Sequence, residues 1–219
     1  MAVLIFLGIA LGAYFCGGLN GAILSSRIVY KNDVRLHGSN NAGLTNFYRT
    51  YGSRAIFLVI LIDVIKTALP VVVGGMLLES HLAFGTVAER LIIGRTWGGM
   101  FAMIGHAYPC LYKFKGGKAV LSGGTVALFL DLRVFAFVAV VFVLAVAITR
   151  YVSLGSVLAG LMFPVAFLVF RLGLWATLMA VCCGAFVIYR HRGNVLRLLK
   201  GEERKVSFGR KRREASDGS

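Results

Sequence analysis

Apolar residues form long runs along this chain, and short basic clusters separate them. The runs cover residues 3–24, 55–78, 91–108, 119–132, 134–149, 153–170 and 174–190. Several approach the ~20 residues a helix needs to cross bilayer hydrocarbon. Each is expected to be helical, because backbone in lipid must satisfy its own N–H and C=O groups. The pattern predicts an all-α polytopic membrane protein: a seven-helix bundle forming one domain over residues 1–205. The run at 119–132 is short and begins at a Gly-Gly-Lys loop, so it reads either as a partial span or as a helix N-terminus aimed at a ligand. The first run lacks the basic flank of a signal peptide and further spans follow, so it is read as a retained helix. Residues 206–219 are polar and contain Arg210-Lys211-Arg212-Arg213. They are expected to be a disordered tail that follows anionic headgroups rather than nucleic acid.

Composition strengthens the membrane reading. Hydrophobic residues make up 58% of the chain and charged residues 15%, where a soluble domain has about a quarter charged. Mean hydropathy is +0.80. The net charge of +15 is not spread evenly. Nineteen of the 24 Lys and Arg fall in alternate loops and in the stretch from Arg190 onward, all on one side of the expected bundle. Basic loops stay cytoplasmic, which places the N-terminus outside and the C-terminus in the cytoplasm. The cysteines Cys16, Cys110, Cys182 and Cys183 have no metal-ligand spacing and act as small apolar residues.

Three polar stretches then share the cytoplasmic face. They are Gly38-Ser39-Asn40-Asn41-Ala42-Gly43-Leu44-Thr45-Asn46-Phe47-Tyr48-Arg49, Lys113-Phe114-Lys115-Gly116-Gly117-Lys118, and His191 to Glu203. Cations, glycines and small donors gathered at one membrane depth suit an anion, phosphate first. From Leu44 a helix would put Thr45, Asn46 and Arg49 on one face, with Ser39 on the turn before it. Lys115-Gly116-Gly117-Lys118 precedes a helix whose free N–H groups could meet a phosphate. It is no Walker A loop, because Ala119 replaces the required Ser or Thr. His191, Asn194 and Arg197 recur at threes at the end of the last run, and His106 ends the third at the same depth. Asp63 and Lys66 lie inside the second run on one face. They are either a mutually neutralising pair or a fixed cation for an anionic substrate. There is no metal-ligand cluster, no Gly-x-Ser-x-Gly elbow and no His-x-x-x-x-Asp pattern.

In these motifs the chain resembles the bacterial acyl-phosphate:glycerol-3-phosphate acyltransferases, over about Tyr14 to Lys205. Ile62-Asp63-Val64-Ile65-Lys66, Gly105-His106-Ala107-Tyr108-Pro109 and Thr149-Arg150-Tyr151-Val152-Ser153-Leu154-Gly155-Ser156 add to the match. The resemblance implies seven helices with the N-terminus out, in the bacterial cytoplasmic membrane. It implies acyl transfer from acyl phosphate to the sn-1 hydroxyl of glycerol 3-phosphate, giving 1-acylglycerol 3-phosphate (lysophosphatidate) and phosphate in phospholipid synthesis. The family's catalytic residues fall on Ser39, Arg49, His191 and Asn194, its phosphate loop on Gly116, Gly117 and Lys118, and its structural Glu on Glu203. Ser153 and Ser156 take the place of polar serines at the start of the sixth helix. With the candidates read above, the expected substrate contacts are Asn41, Thr45, Asn46, Lys66, His106, Lys115, Gly116, Gly117, Lys118, Ser153 and Ser156, with Asp63 and Glu203 structural. Asn40 and Ala119 stand where the family has glycine, Ala42 and Leu44 also depart from its first motif, and Gly18-Leu19-Asn20-Gly21 replaces a Gly-Ser-Ile-Pro-Phe stretch. The expected partners are glycerol 3-phosphate, acyl phosphate and the bilayer. No metal, cofactor or nucleic acid is expected, and the protein is expected to be a monomer. The proton acceptor for the attacking hydroxyl is either His191 or the leaving phosphate. A transporter for an organophosphate anion is the competing class. It would favour inverted repeats and polar residues near mid-membrane, whereas here no repeat is visible and the polar residues crowd one interface.

Overall fold

A computed structural model describes residues 1–206; the tail expected at 206–219 lies outside the described residues from 207 onward. Each apolar run is helical, and no strand occurs among the described residues. The helices are α1 (Ala2–Gly17), α2 (Gly21–Tyr30), α3 (Leu44–Tyr51), α4 (Ile56–His81), α5 (Val87–Ala107), α6 (Val120–Leu130), α7 (Leu132–Thr149), α8 (Val152–Val169), α9 (Leu174–Arg190) and α10 (Arg192–Leu199). Among the described residues, four candidate spans are long and apolar enough to cross a membrane: α1 with α2, α4, α7 and α8. A fifth results if α9 and α10, bent by 57° at His191, are one span.

The surface is apolar where a soluble protein's would be polar. Leu4, Phe57, Val143, Ile148 and Leu168 are each more than half exposed, as expected where lipid is the solvent. Burial of apolar surface cannot hold helices together there, so close backbone packing must contribute instead. Glycine supplies it. A Cβ on Gly98 would strike the Pro70 carbonyl, one on Gly17 the backbone of Ala102, and one on Gly105 the backbone of Tyr14. These contacts lock α1, α4 and α5 together; Gly160 and Gly184 do the same for α8 and α9.

The expected continuous helix over 3–24 is corrected. The chain breaks at Gly18-Leu19-Asn20 and restarts as α2. Asn20 is fully buried and its side chain accepts the Ile23 N–H (3.0 Å), capping α2. An Asn cap inside an apolar run satisfies an N–H group that a helix start leaves unpaired. The same side chain donates to the Ala42 carbonyl (3.0 Å), and Asp63 accepts the Gly21 N–H (3.0 Å). The break is therefore tied both to α4 and to the Gly38–Arg49 stretch, and it fixes that stretch over one end of the bundle.

Candidate functional site

All three polar stretches meet at one cavity of about 760 Å³. Its polar end is built from the loop after Gly38, from α3, from Lys118 ahead of α6, from the α9–α10 junction and from residues 202–204. Its other end is apolar, lined by Met103, Phe135, Phe142, Phe163 and Val187 of α5, α7, α8 and α9. The two ends are continuous, so one ligand with a charged head and a long greasy tail fits both.

Arg49 and Thr45, one turn apart on α3, face the cavity with Ser39 and Asn41. The Arg49 guanidinium has no hydrogen-bond partner among the described residues. Burial and then the nearby Arg204 charge push its pKa down, against the opposing pull of the Glu203 carboxylate. Asn46 lines the same wall but is already committed. It donates to the Val34 and His37 carbonyls (both 3.0 Å) and accepts the Ser39 N–H (2.8 Å). Asn46 therefore braces the loop that presents Ser39 while still lining the cavity.

Lys118 reaches the cavity and donates to the side-chain amide oxygen (Oδ1) of Asn194. Asn194 donates from its other end to Glu203 (2.7 Å), which also accepts from Arg197 (2.8 Å). Burial would raise the Glu203 pKa, but Asn194, Ser153 and Arg197 donating to it hold it below the usual range. Burial pushes Lys118 down to about 8. His191 donates from Nδ1 to the Val187 carbonyl (2.8 Å), which leaves the lone pair on Nε2. Burial brings its pKa to about 4, so the ring is neutral near pH 7. Over the first two turns of α8, Ser153 and Ser156 also line the cavity. The Ser156 hydroxyl bonds the Val152 carbonyl (2.8 Å), whereas the buried Ser153 hydroxyl is left facing the Glu203 carboxylate, whose pKa it helps to lower.

Four residues expected to meet substrate, Lys66, Lys115, Gly116 and Gly117, stand off the cavity lining. Lys115 is exposed, lies off the cavity, and gives its carbonyl to Arg35 (3.1 Å). Gly116 and Gly117 do not line the cavity either. Their N–H groups donate to the carbonyls of Ala107 (3.2 Å) and His106 (3.1 Å), so neither is free for a phosphate. Both need to be glycine for packing: a Cβ on Gly117 would strike the His106 ring and the Ala42 carbonyl. The loop's work is to seat Lys118. Behind it Ala119 adopts a left-handed conformation (φ 59°), and the N–H groups of Lys118, Ala119 and Val120 have no acceptor among the described residues. Lys66, expected to meet substrate, instead pairs with Asp63 (2.7 Å) and with His106 Nδ1 (2.8 Å), outside the cavity lining. His106 and Asp63 do reach the cavity wall.

Some residues of the site are not prominent in the sequence. Arg190 donates to the Gly117 carbonyl (2.8 Å) and stacks over Tyr108 (4.6 Å), which holds the glycine loop against α9. Glu202 and Arg204 line the cavity beside Arg197, which its spacing from His191 and Asn194 had marked. Glu202 and Arg204 carried no such spacing. Among the described residues no group of His, Cys, Asp and Glu could hold a metal.

An apolar helical bundle with a cavity that is cationic at one end and greasy at the other defines a membrane protein that handles an amphiphile with an anionic head. The comparisons narrow this class. The glycerol-3-phosphate acyltransferase family model matches residues 7–201, and the chain belongs to that family. It is 37% identical over 205 residues to glycerol-3-phosphate acyltransferase 2 of Bacillus cereus, covering 92% of this chain and 95% of the relative. It is 35% identical over 204 residues to the glycerol-3-phosphate acyltransferase of Geobacillus kaustophilus, covering 93% and 98%. It is similar to the crystal structure of PlsY, an integral membrane glycerol 3-phosphate acyltransferase, in its glycerol 3-phosphate form. The TM-score is 0.79 at 30% identity, covering 92% of this chain and 96% of that one.

Proposed function

We infer that this chain transfers an acyl chain from acyl phosphate to the sn-1 hydroxyl of glycerol 3-phosphate, releasing lysophosphatidate and phosphate for phospholipid synthesis. The carrying observation is the continuity of the cationic and apolar ends of one cavity. The structure of the relative in a lysophosphatidic acid form fits it (TM-score 0.78, 29% identity).

The chemistry needs little from the protein beyond placement. Phosphate is already a competent leaving group, so the glycerol oxygen attacks the acyl carbon directly and the bond from that carbon to the phosphate oxygen breaks. The obstacle is bringing two phosphate anions together. Arg49 and Lys118 offset their repulsion, and Asn194 and Glu203 hold Lys118 in position. Such positioning contributes on the order of 7–11 kcal/mol to barrier lowering. Ser39 orients the glycerol phosphate, and the Ser153 hydroxyl, with Ser156 beside it, meets the donor head. His191 accepts the attacking hydroxyl's hydrogen bond at Nε2. Near pKa 4 it is too weak a base to keep the proton. The proton ends on the departing phosphate, whose second pKa is about 6.

The same proposal takes the bundle to cross the bacterial cytoplasmic membrane seven times as a monomer, with the N-terminus outside and residues 1–205 as the catalytic domain. The side-biased Lys and Arg distribution supports it. The test is purified protein with palmitoyl phosphate and glycerol 3-phosphate. Equal molar lysophosphatidate and phosphate are expected. Comparable turnover from acyl-CoA, or uptake of glycerol 3-phosphate into vesicles without acylation, would overturn it.

A further inference from the structure

The segment after α10 crosses the cavity mouth as a strap with three attachments. Glu203 is held by Asn194 and Arg197. The Lys205 ammonium lies over the Tyr151 ring at 5.5 Å. The Val206 N–H donates to the Arg150 carbonyl (2.8 Å). Between the first attachment and the other two sits Arg204. Glu203 spends its carboxylate on Asn194 and Arg197, while Arg204 lines the cavity with no hydrogen bond or ion pair among the described residues. Arg49 lines the same cavity, equally without a hydrogen-bonded partner among the described residues; its pKa is lowered by burial first and then by the charge of Arg204, with the Glu203 carboxylate only partly opposing them. Two unpaired guanidinium groups held near each other repel. The fold gains from that arrangement only when an anion with several acceptor oxygens occupies the space they share.

We propose that Arg204, carried on this strap, is a substrate-binding residue that works with Arg49 to clamp a phosphate monoester at the cavity mouth, so that anchoring of the strap sets the affinity. This rests on the acyltransferase reading for the identity of the phosphate. Either glycerol 3-phosphate or the head of acyl phosphate supplies that chemistry, and separate KM values distinguish them.

Four proteins are compared in the phosphate-release assay: wild type, Arg204→Gln, Val206→Pro and Lys200→Gln. Val206→Pro removes the N–H that ties the strap to Arg150 while keeping every charge. Lys200 is exposed and off the cavity lining, so its loss controls for general surface potential. Arg204→Gln is expected to raise KM for one of the two phosphate substrates about tenfold, the size of a lost charge-assisted hydrogen bond. The maximal rate should stay within about twofold, the mark of uniform binding. Val206→Pro is expected to raise the same KM in the same direction, and Lys200→Gln to leave both near wild type. Unchanged KM values in Arg204→Gln, or an equal rise in Lys200→Gln, overturn the proposal while an active wild type keeps the acyltransferase reading. If wild type is inactive, that reading fails, and melting of the detergent-solubilised proteins with glycerol 3-phosphate or inorganic phosphate decides the clamp alone. Stabilisation of wild type that Arg204→Gln lacks upholds it, and equal or absent stabilisation overturns it.

Discussion

Two charged clusters sit near each other in this bundle and have opposite characters. Asp63, Lys66 and His106 form a closed one: the ammonium meets the carboxylate and an imidazole nitrogen, and the carboxylate also takes the Gly21 N–H. Its members are almost fully buried. Arg49, Lys118, Arg197 and Arg204 form an open one on the wall of a large cavity, with the Glu203 and Glu202 carboxylates for company. Both contain ionisable residues at membrane depth, the usual pointer to function. The difference is counter-charge. The closed cluster is satisfied by protein alone and holds three helices, whereas the open one is left positive and needs a ligand.

Breaking the closed cluster should have the largest effect. Asp63→Ala leaves Lys66 buried without its carboxylate and frees the Gly21 N–H, at a cost of about 3–5 kcal/mol. Little monodisperse protein is expected on size exclusion in detergent. Asp63→Leu with Lys66→Met removes both charges and should recover most of the melting temperature. Equal loss in the single and double variants would mean the pair is not the stabilising unit. Within the open cluster, Arg49→Lys keeps the charge and loses the planar fork. A fall of about 10²-fold in kcat/KM with an unchanged melting temperature is expected, and near-normal activity would make Arg49 a mere source of potential.

How much of this the sequence disclosed follows the same division. Long apolar runs located the helices because lipid enforces the pattern along whole segments. Three polar stretches abutting those runs marked the site, because polar residues at an interface stand out against their surroundings. Partnership was not legible. Lys66 looked available for a substrate, yet it is buried and two of its three N–H donors meet Asp63 and His106. The amides of Gly116 and Gly117 looked like a phosphate cradle, yet they bond the end of α5, a pairing that depends on how the loop folds back. The α1–α2 break was hidden because Asn20 is a single polar residue in an apolar run. Arg204 gave little signal because an irregular strap has no periodicity to read.

Smaller effects refine the open cluster. Lys118 sits low, at about 8, because burial disfavours its charge. A depressed lysine loses its proton as pH rises through that value, so the cation is present below about 8 and absent above. KM for a phosphate substrate should therefore rise above about pH 8 in wild type, and this limb should vanish in Lys118→Met. A limb unchanged in the variant would belong to another group. The smallest effect concerns Ala119, where a Cβ is carried at φ 59°. Ala119→Gly relieves that strain, and the gain is about 0.5–1 kcal/mol net of the added chain entropy. A melting temperature a few degrees higher is the readout, and a lower one would show that the methyl group's packing outweighs its strain.

The central claim is that the open cluster holds phosphate while acyl transfer proceeds across the cavity. The most direct measurement is phosphate and lysophosphatidate formed from palmitoyl phosphate and glycerol 3-phosphate by wild type and by Lys118→Met. Equal molar products from wild type are expected, with KM for a phosphate substrate raised at least about tenfold in the variant. Wild-type kinetics in Lys118→Met, or wild-type transfer that proceeds as readily from acyl-CoA, would contradict it.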